Sequence, residues 1–94
     1  MSASSLSRKK TKVLVVDDSA IVRKMIGDAL AAEPDIEVVG GAPDPYVARD
    51  LILRHKPDVV TLDIEMPVLD GIGTLRGIRR RHPRLPVIMF STLT

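Results

Sequence analysis

Two short apolar runs, each closed by aspartate, constrain this chain more than any other feature: Lys12-Val-Leu-Val-Val-Asp-Asp18 and Asp58-Val-Val-Thr-Leu-Asp63. Brief stretches of β-branched and aliphatic residues are too short for buried helices and suit strands covered on both faces, the pattern of a parallel sheet. If the two strands lie side by side and parallel, Asp17, Asp18 and Asp63 meet at the C-terminal edge of the sheet, where open α/β sheets place their ligands. Carboxylates crowded together raise one another's pKa unless a cation shares them. Hard oxygen donors with room for water suit Mg2+.

The segments around these runs alternate strand and helix. Ser19 or Asp18 caps a helix predicted to reach Ala32, with Ile21, Val22, Met25, Ile26, Ala29 and Leu30 inward and Arg23, Lys24 and Asp28 outward. Pro34 stops it, and Ile36-Glu-Val-Val-Gly40 reads as a second strand. Asp44-Pro45 then opens a helix that runs to about His55 and buries Val47, Ala48, Leu51 and Ile52. Pro57 ends that helix, and Val59 to Leu62 form a third strand. After a break at Met66-Pro67, a helix from about Leu69 to Arg81 turns Ile72, Leu75 and Ile78 inward. Gly71, Gly73 and Gly77 weaken it by roughly 1 kcal/mol each relative to alanine, so tertiary packing must support it. Pro86 to Phe90 form a fourth strand, with Ser91 at its C-terminal edge.

The order βαβαβαβ, with connections long enough for right-handed crossovers, predicts an α/β fold built on a doubly wound parallel sheet. A chain that stops after a fourth apolar strand is expected to be incomplete at its C-terminus. One sheet face and the edge of the fourth strand would then be exposed, and that edge would be open to self-association.

Ninety-four residues make one domain, which at this size buries only about 60–65% of the surface of the unfolded chain. Tyr46 and Phe90 are the only aromatic rings, so aliphatic side chains must fill the core. The absence of cysteine excludes disulfides, thiol catalysis and cysteine-based zinc sites. Residues 1–11 are polar and basic and are expected to be a disordered leader, with the domain at 12–94. They contain no apolar signal-peptide core, and no stretch approaches the length of a membrane span, so a cytoplasmic location without membrane insertion is expected.

A net charge of +2 identifies no partner. Arg76, Arg79, Arg80, Arg81 and Arg84 read as a solvated helix face whose charge complements the helix C-terminus, and His55 and His82 sit in similar positions. Without interleaved aromatic residues, this cluster does not predict a nucleic-acid partner.

Phosphoryl transfer to a carboxylate would use each acid. Asp63 would be the nucleophile forming an acyl phosphate, and Asp18 would hold a Mg2+ ion that neutralises charge on the phosphoryl oxygens. Asp17 would be an outer or water-mediated ligand, because successive strand residues point to opposite faces and only a turn after Val16 brings both acids inward. The Glu65 backbone carbonyl, two residues past Asp63, could complete the protein's share of the octahedron, and Ser91 is placed to hydrogen-bond a phosphoryl oxygen.

Val13-Leu-Val-Val-Asp-Asp-Ser19, Leu62-Asp-Ile-Glu-Met-Pro67 with Asp70-Gly71, and Val87-Ile-Met-Phe-Ser91 resemble, in order and spacing, the receiver domains of two-component response regulators. Within that family, the stretch from Val38 to Asp50, Leu62 to Pro67 and Ser91-Thr-Leu-Thr94 looks most like the N-terminal domain of chemotaxis protein-glutamate methylesterases of the CheB type. The resemblance implies a flavodoxin-like sheet in order 2-1-3-4-5, with the fifth strand beyond Thr94. It makes Asp63 the phosphoacceptor, Asp17 and Asp18 the Mg2+ pair, and Ser91 the switch hydroxyl. It also implies a chemotaxis histidine kinase as phosphodonor. In a longer parent, the partners would be a C-terminal esterase and deamidase domain and the chemoreceptors.

Two other readings compete. A free-standing receiver would act only by phosphorylation-dependent docking, and Asp63-Ile-Glu65 faintly echoes Mg2+-dependent phosphohydrolases with an aspartate nucleophile. Asp70 looks like a helix cap and Tyr46 like a packing residue.

Overall fold

The computed structural model describes residues 9–65 and 71–91. Seven elements follow the expected alternation: β1 (Thr11–Val16), α1 (Ala20–Ala31), β2 (Ile36–Ala42), α2 (Pro45–His55), β3 (Val59–Asp63), α3 (Gly71–Arg81) and β4 (Val87–Phe90). The strands form one parallel sheet in the order β2-β1-β3-β4. This is the doubly wound arrangement the resemblance implied, with β1 and β3 at its centre. Residues 1–8 of the expected 1–11 leader, the Met66-Pro67 break, the helix start at Leu69, the Asp70 cap and Thr92 to Thr94 lie outside the described residues.

Local signals set most boundaries. Ser19 caps α1, its Oγ accepting the Val22 N–H at 3.2 Å, and Asp44 caps α2, one carboxylate oxygen accepting the N–H groups of Tyr46 and Val47 at 2.9 Å each. At the end of α2, Lys56 takes a left-handed backbone, φ 48°, the conformation that commonly closes a helix C-terminus, and its N–H donates to the Ile52 carbonyl at 2.9 Å. Asp58 then pins β3 to β1. Its Oδ2 accepts the Lys12 N–H at 2.8 Å, and its own N–H donates to the Lys12 carbonyl at 2.8 Å.

Three expectations need correction. The sheet begins at Thr11 rather than Lys12, because the Thr11 N–H reaches the Asp35 carbonyl at 2.8 Å and the residue pairs with Ile36. β2 continues past Gly40 to Ala42, with a bulge where Val13 pairs with Val38 but Leu14 with Gly40. The third correction concerns the helix faces. In α1, Val22, Ile26 and Leu30 are half-buried, while Ile21 and Met25 are 74% and 65% exposed. The apolar stripe is wider than the single contact α1 makes with β1 and β2. Val47 and Ile72 are also exposed, and in α3 the buried positions are Thr74 and Ile78.

Leu14 and Val16 from β1, Val60 and Leu62 from β3, Ala42 from β2, Ala48 and Ile52 from α2, and Ile78 from α3 form the main core. β1 is covered on both faces from Val13 to Val16. In β3, Val59 and Thr61 are only half-buried, and Ile88, which pairs with Thr61, is 59% exposed. Burial is therefore lopsided, thick on the α2–α3 side and thin on the α1 side. Arg79 ties α3 to the loop that follows it, its guanidinium donating to the Pro83 and Leu85 carbonyls at 3.4 and 3.3 Å.

Candidate metal centre at the sheet edge

Strand register assembles the site. Val15 pairs with Thr61 and Val16 with Leu62, so the next residues, Asp17 and Asp63, leave the sheet beside each other. Asp63 pairs with Phe90, which brings Ser91 to the same edge. The ladder continues one residue beyond β1, the Asp17 N–H donating to the Ala42 carbonyl at 3.0 Å. The chain then turns, and the Ser19 N–H donates to Asp17 Oδ1 at 2.8 Å.

That turn removes the obstacle posed by strand alternation. Asp18 lies in the bend rather than in the pleat, and Asp17, Asp18 and Asp63 each offer a carboxylate oxygen within 4.8 Å of the others. Asp18 is exposed, whereas Asp17 and Asp63 are 0% and 2% exposed.

Two features set this cluster apart from a set of helix caps. Asp17 Oδ2 is buried and accepts no hydrogen bond among the described residues, an arrangement whose desolvation cost nothing in the protein offsets. Burial, and next the charges of Asp63 and Asp18, hold the Asp17 carboxyl above its ordinary value, against the opposing pull of the Ser19 N–H. A hard divalent cation satisfies the orphaned oxygen and the mutual repulsion together, so the donor set fits one.

Asp63 is oriented from its own strand, Oδ1 accepting the Glu65 N–H at 3.0 Å. Glu65 and Ser91 meet as well, but through a contact the sequence reading did not foresee. The Ser91 hydroxyl donates to Glu65 Oε1 at 2.7 Å, so the Glu65 side chain comes to the same sheet edge. Arg23, placed outward on sequence grounds, instead reaches back, its Nη1 donating to the Asp17 carbonyl at 2.8 Å. No local pattern announces either contact, since both join different elements.

The family model for the response regulator receiver domain matches residues 13–94. The chain belongs to that family. This receiver is 62% identical over 85 residues to a protein-glutamate methylesterase/protein-glutamine glutaminase of Syntrophus aciditrophicus, covering 90% of this chain and 24% of the relative. It is 58% identical over 86 residues to a protein of the same name from Anaeromyxobacter dehalogenans, covering 92% and 24%. The receiver thus spans about a quarter of the length of the curated relatives it matches.

Among solved structures it resembles the response regulator domain of Thermotoga maritima CheB, with TM-score 0.82 and 45% identity over 92% of this chain and 63% of that one. It also resembles a chain of the CheX-CheY-BeF3-Mg complex from Borrelia burgdorferi, with TM-score 0.81 and 33% identity over 90% and 64%. Among the described residues, no helix is long and apolar enough to cross a membrane.

The acid cluster of the receiver makes Asp17→Asn informative. The asparagine carbonyl can still accept the Ser19 N–H, while one buried negative charge is removed. Because the folded-state pKa of Asp17 is raised above 3.8, its contribution to stability is fully present below that value and is lost as pH rises through the folded pKa. Metal-free wild type therefore carries a charge penalty at neutral pH. Asp17→Asn should melt several degrees higher in chelator at neutral pH, at about 4–8 °C per kcal/mol for a domain this size. The gap should close as pH falls toward 3.8. Added Mg2+ should raise the melting temperature of wild type and not of the variant. Calorimetric scans with and without chelator check this, and a variant that melts lower at neutral pH would contradict the electrostatic account.

Proposed function

We propose that this receiver accepts a phosphoryl group on Asp63 in a Mg2+-dependent reaction, and that the acyl phosphate signals to a protein-glutamate methylesterase domain in a longer parent. The observation that carries the reading is the buried Asp63 carboxylate at the end of β3, within 4.8 Å of the acidic pair and beside the orphaned Asp17 Oδ2.

Asp17, Asp18, Asp63 and the Glu65 carbonyl are the protein ligands in this reading. When bound, the ion neutralises charge on the phosphoryl oxygens. The Glu65 N–H fixes Asp63 by Oδ1, which leaves the other carboxylate oxygen to attack phosphorus. The P–O bond of the new acyl phosphate forms as the bond to the donor breaks, with its electron pair leaving on the imidazole of a phosphohistidine or on the acetate of acetyl phosphate. Ser91 then exchanges its Glu65 acceptor for a phosphoryl oxygen, a movement that couples β4 to the phosphorylated state.

A chemotaxis histidine kinase is the physiological donor in this reading, with chemoreceptors as the parent's targets and the cytoplasm as its location. The methylesterase relatives at 62% and 58% identity support this choice of output over a free-standing docking receiver. The test is intact mass after incubation with acetyl phosphate and Mg2+. One phosphoryl adduct, absent with chelator and mapped by tandem mass spectrometry to the peptide containing Asp63, is the expected result. An adduct that forms equally well without metal, or none at all, would sink the proposal.

A further inference from the structure

The bend that brings Asp17 and Asp18 to one side is not self-supporting. The peptide joining them has its carbonyl, that of Asp17, outside the strand ladder, and the group that binds it is the Arg23 guanidinium at 2.8 Å. The arginine reaches it by lying flat across β2. A Cβ added at Gly41 would stand 2.9 Å from Arg23 Cδ, 3.1 Å from Cγ and 3.4 Å from Nε, closer than ordinary contact, so the glycine leaves the channel in which the side chain runs. Arg23 is half-buried, despite a position in α1 between Val22 and Lys24 that would otherwise face solvent.

Asp17 is thereby held on every side. Its N–H donates to Ala42, its carbonyl accepts from Arg23, and its Oδ1 accepts from Ser19 at 2.8 Å. Only Oδ2 is left over. Fixing the carbonyl fixes the plane of the peptide that carries Asp18, and with it the direction from which the exposed Asp18 side chain starts.

We propose that Arg23, seated on Gly41, is a positioning residue that pre-organises the Asp17–Asp18 pair for a divalent cation. Outer partners that orient metal ligands typically cost about ten- to hundredfold in metal affinity when they are removed, and a partner that fixes a ligand's backbone is expected to act on the same scale. Its sign can be told from that of charge alone. A guanidinium near a cation site repels the cation, so an arginine acting only as a charge would, on removal, tighten Mg2+ binding. Loss of a positioning arginine weakens it. The proposal rests on the reading of the acids as a cation site.

The experiment titrates Mg2+ alone against the chain and follows the rise in melting temperature, from which the dissociation constant is obtained by mass action. The variants are Arg23→Met, which keeps an aliphatic stem on Gly41, Arg23→Lys, which keeps the charge and a single donor, and Gly41→Ala, which keeps the arginine and obstructs its seat. Arg23→Met and Gly41→Ala are expected to weaken Mg2+ by about ten- to hundredfold, with Arg23→Lys between them and wild type. Circular dichroism in chelator establishes that each variant is folded. Should Arg23→Met not fold, Gly41→Ala decides.

Affinity unchanged or tightened in the folded variants would overturn the proposal, as would a lowered metal-free melting temperature with an unaltered dissociation constant, the mark of a purely structural arginine. A wild-type chain without any Mg2+ response would overturn both the cation-site reading and this one. A responsive wild type with equally responsive variants would remove this one alone.

Discussion

Asp63→Asn is expected to abolish the phosphoryl adduct formed from acetyl phosphate and Mg2+ while leaving the fold intact. The substitution is nearly isosteric, and its amide oxygen can keep the bond that Asp63 Oδ1 accepts from the Glu65 N–H at 3.0 Å. The neighbouring pairing of Asp63 with Phe90 is a backbone matter and survives. What disappears is the nucleophile, since a carboxamide forms no acyl phosphate.

The same change removes one of the charges that raise the Asp17 pKa, so the metal-free variant should be at least as stable as wild type. Intact mass and thermal scans on one sample separate the two effects. Persistence of the adduct in a folded Asp63→Asn chain would move the acceptor to Asp17, Asp18 or Ser91. A variant that loses the adduct because it unfolds would show that Asp63 is held in place by more than the contacts described.

The second large effect is on stability. Leu14→Ala should cost about 2–5 kcal/mol, the range for emptying a buried leucine site, against a total of about 5–15 kcal/mol for ordinary domains. Leu14 has no exposed surface and belongs to the cluster formed with Val16, Val60, Leu62 and Ile52. It also lies near Leu51 over Gly40, each contributing a methyl within 3.8 Å of where a Cβ there would stand. Val16, Val60 and Leu62 are held in the sheet, and Leu51 and Ile52 are held on α2, so the space does not readily close.

Ile21→Ala is the matched control. It deletes an aliphatic side chain of similar size that is 74% exposed, and should change stability by no more than about 0.5 kcal/mol. Urea unfolding of the two variants reads the difference as a shift of the midpoint at constant slope. Similar losses at both positions would mean that the α1 side is covered in solution, contrary to the burial described.

Much of the architecture could be read from residues near one another in the chain. Ser19 and Asp44 announce helix starts because a side-chain oxygen satisfies backbone N–H groups two or three residues ahead. The runs Val13 to Val16 and Val59 to Leu62 announce central strands because only strands covered on both faces tolerate unbroken apolar sequence. The candidate site followed from the same logic, since parallel neighbours that end in aspartate bring their carboxylates to one edge.

The readings that changed all depended on what lies across from a residue. Periodicity put Ile21, Met25 and Ala29 on the apolar side of α1, but they are exposed, and of that stripe a helix resting on two strands half-covers Val22, Ile26 and Leu30. Arg23 was assigned to the outer face by its charge, yet a glycine on a different element gives its stem a seat and the Asp17 carbonyl gives its head a partner.

The sequence by itself determined the order of elements, the parallel sheet, the three carboxylates and the receiver family. Each of these rests on local backbone preference and on patterns of polarity carried by contiguous residues. Only the tertiary structure decided which apolar faces are covered, how Asp17 and Asp18 come to lie on one side, and that Glu65 holds the Ser91 hydroxyl. Those outcomes depend on the distance between groups 26 residues apart in the Ser91 contact and on separate elements in the Arg23 seat. Such distances follow from strand register and helix placement, which no window of sequence contains.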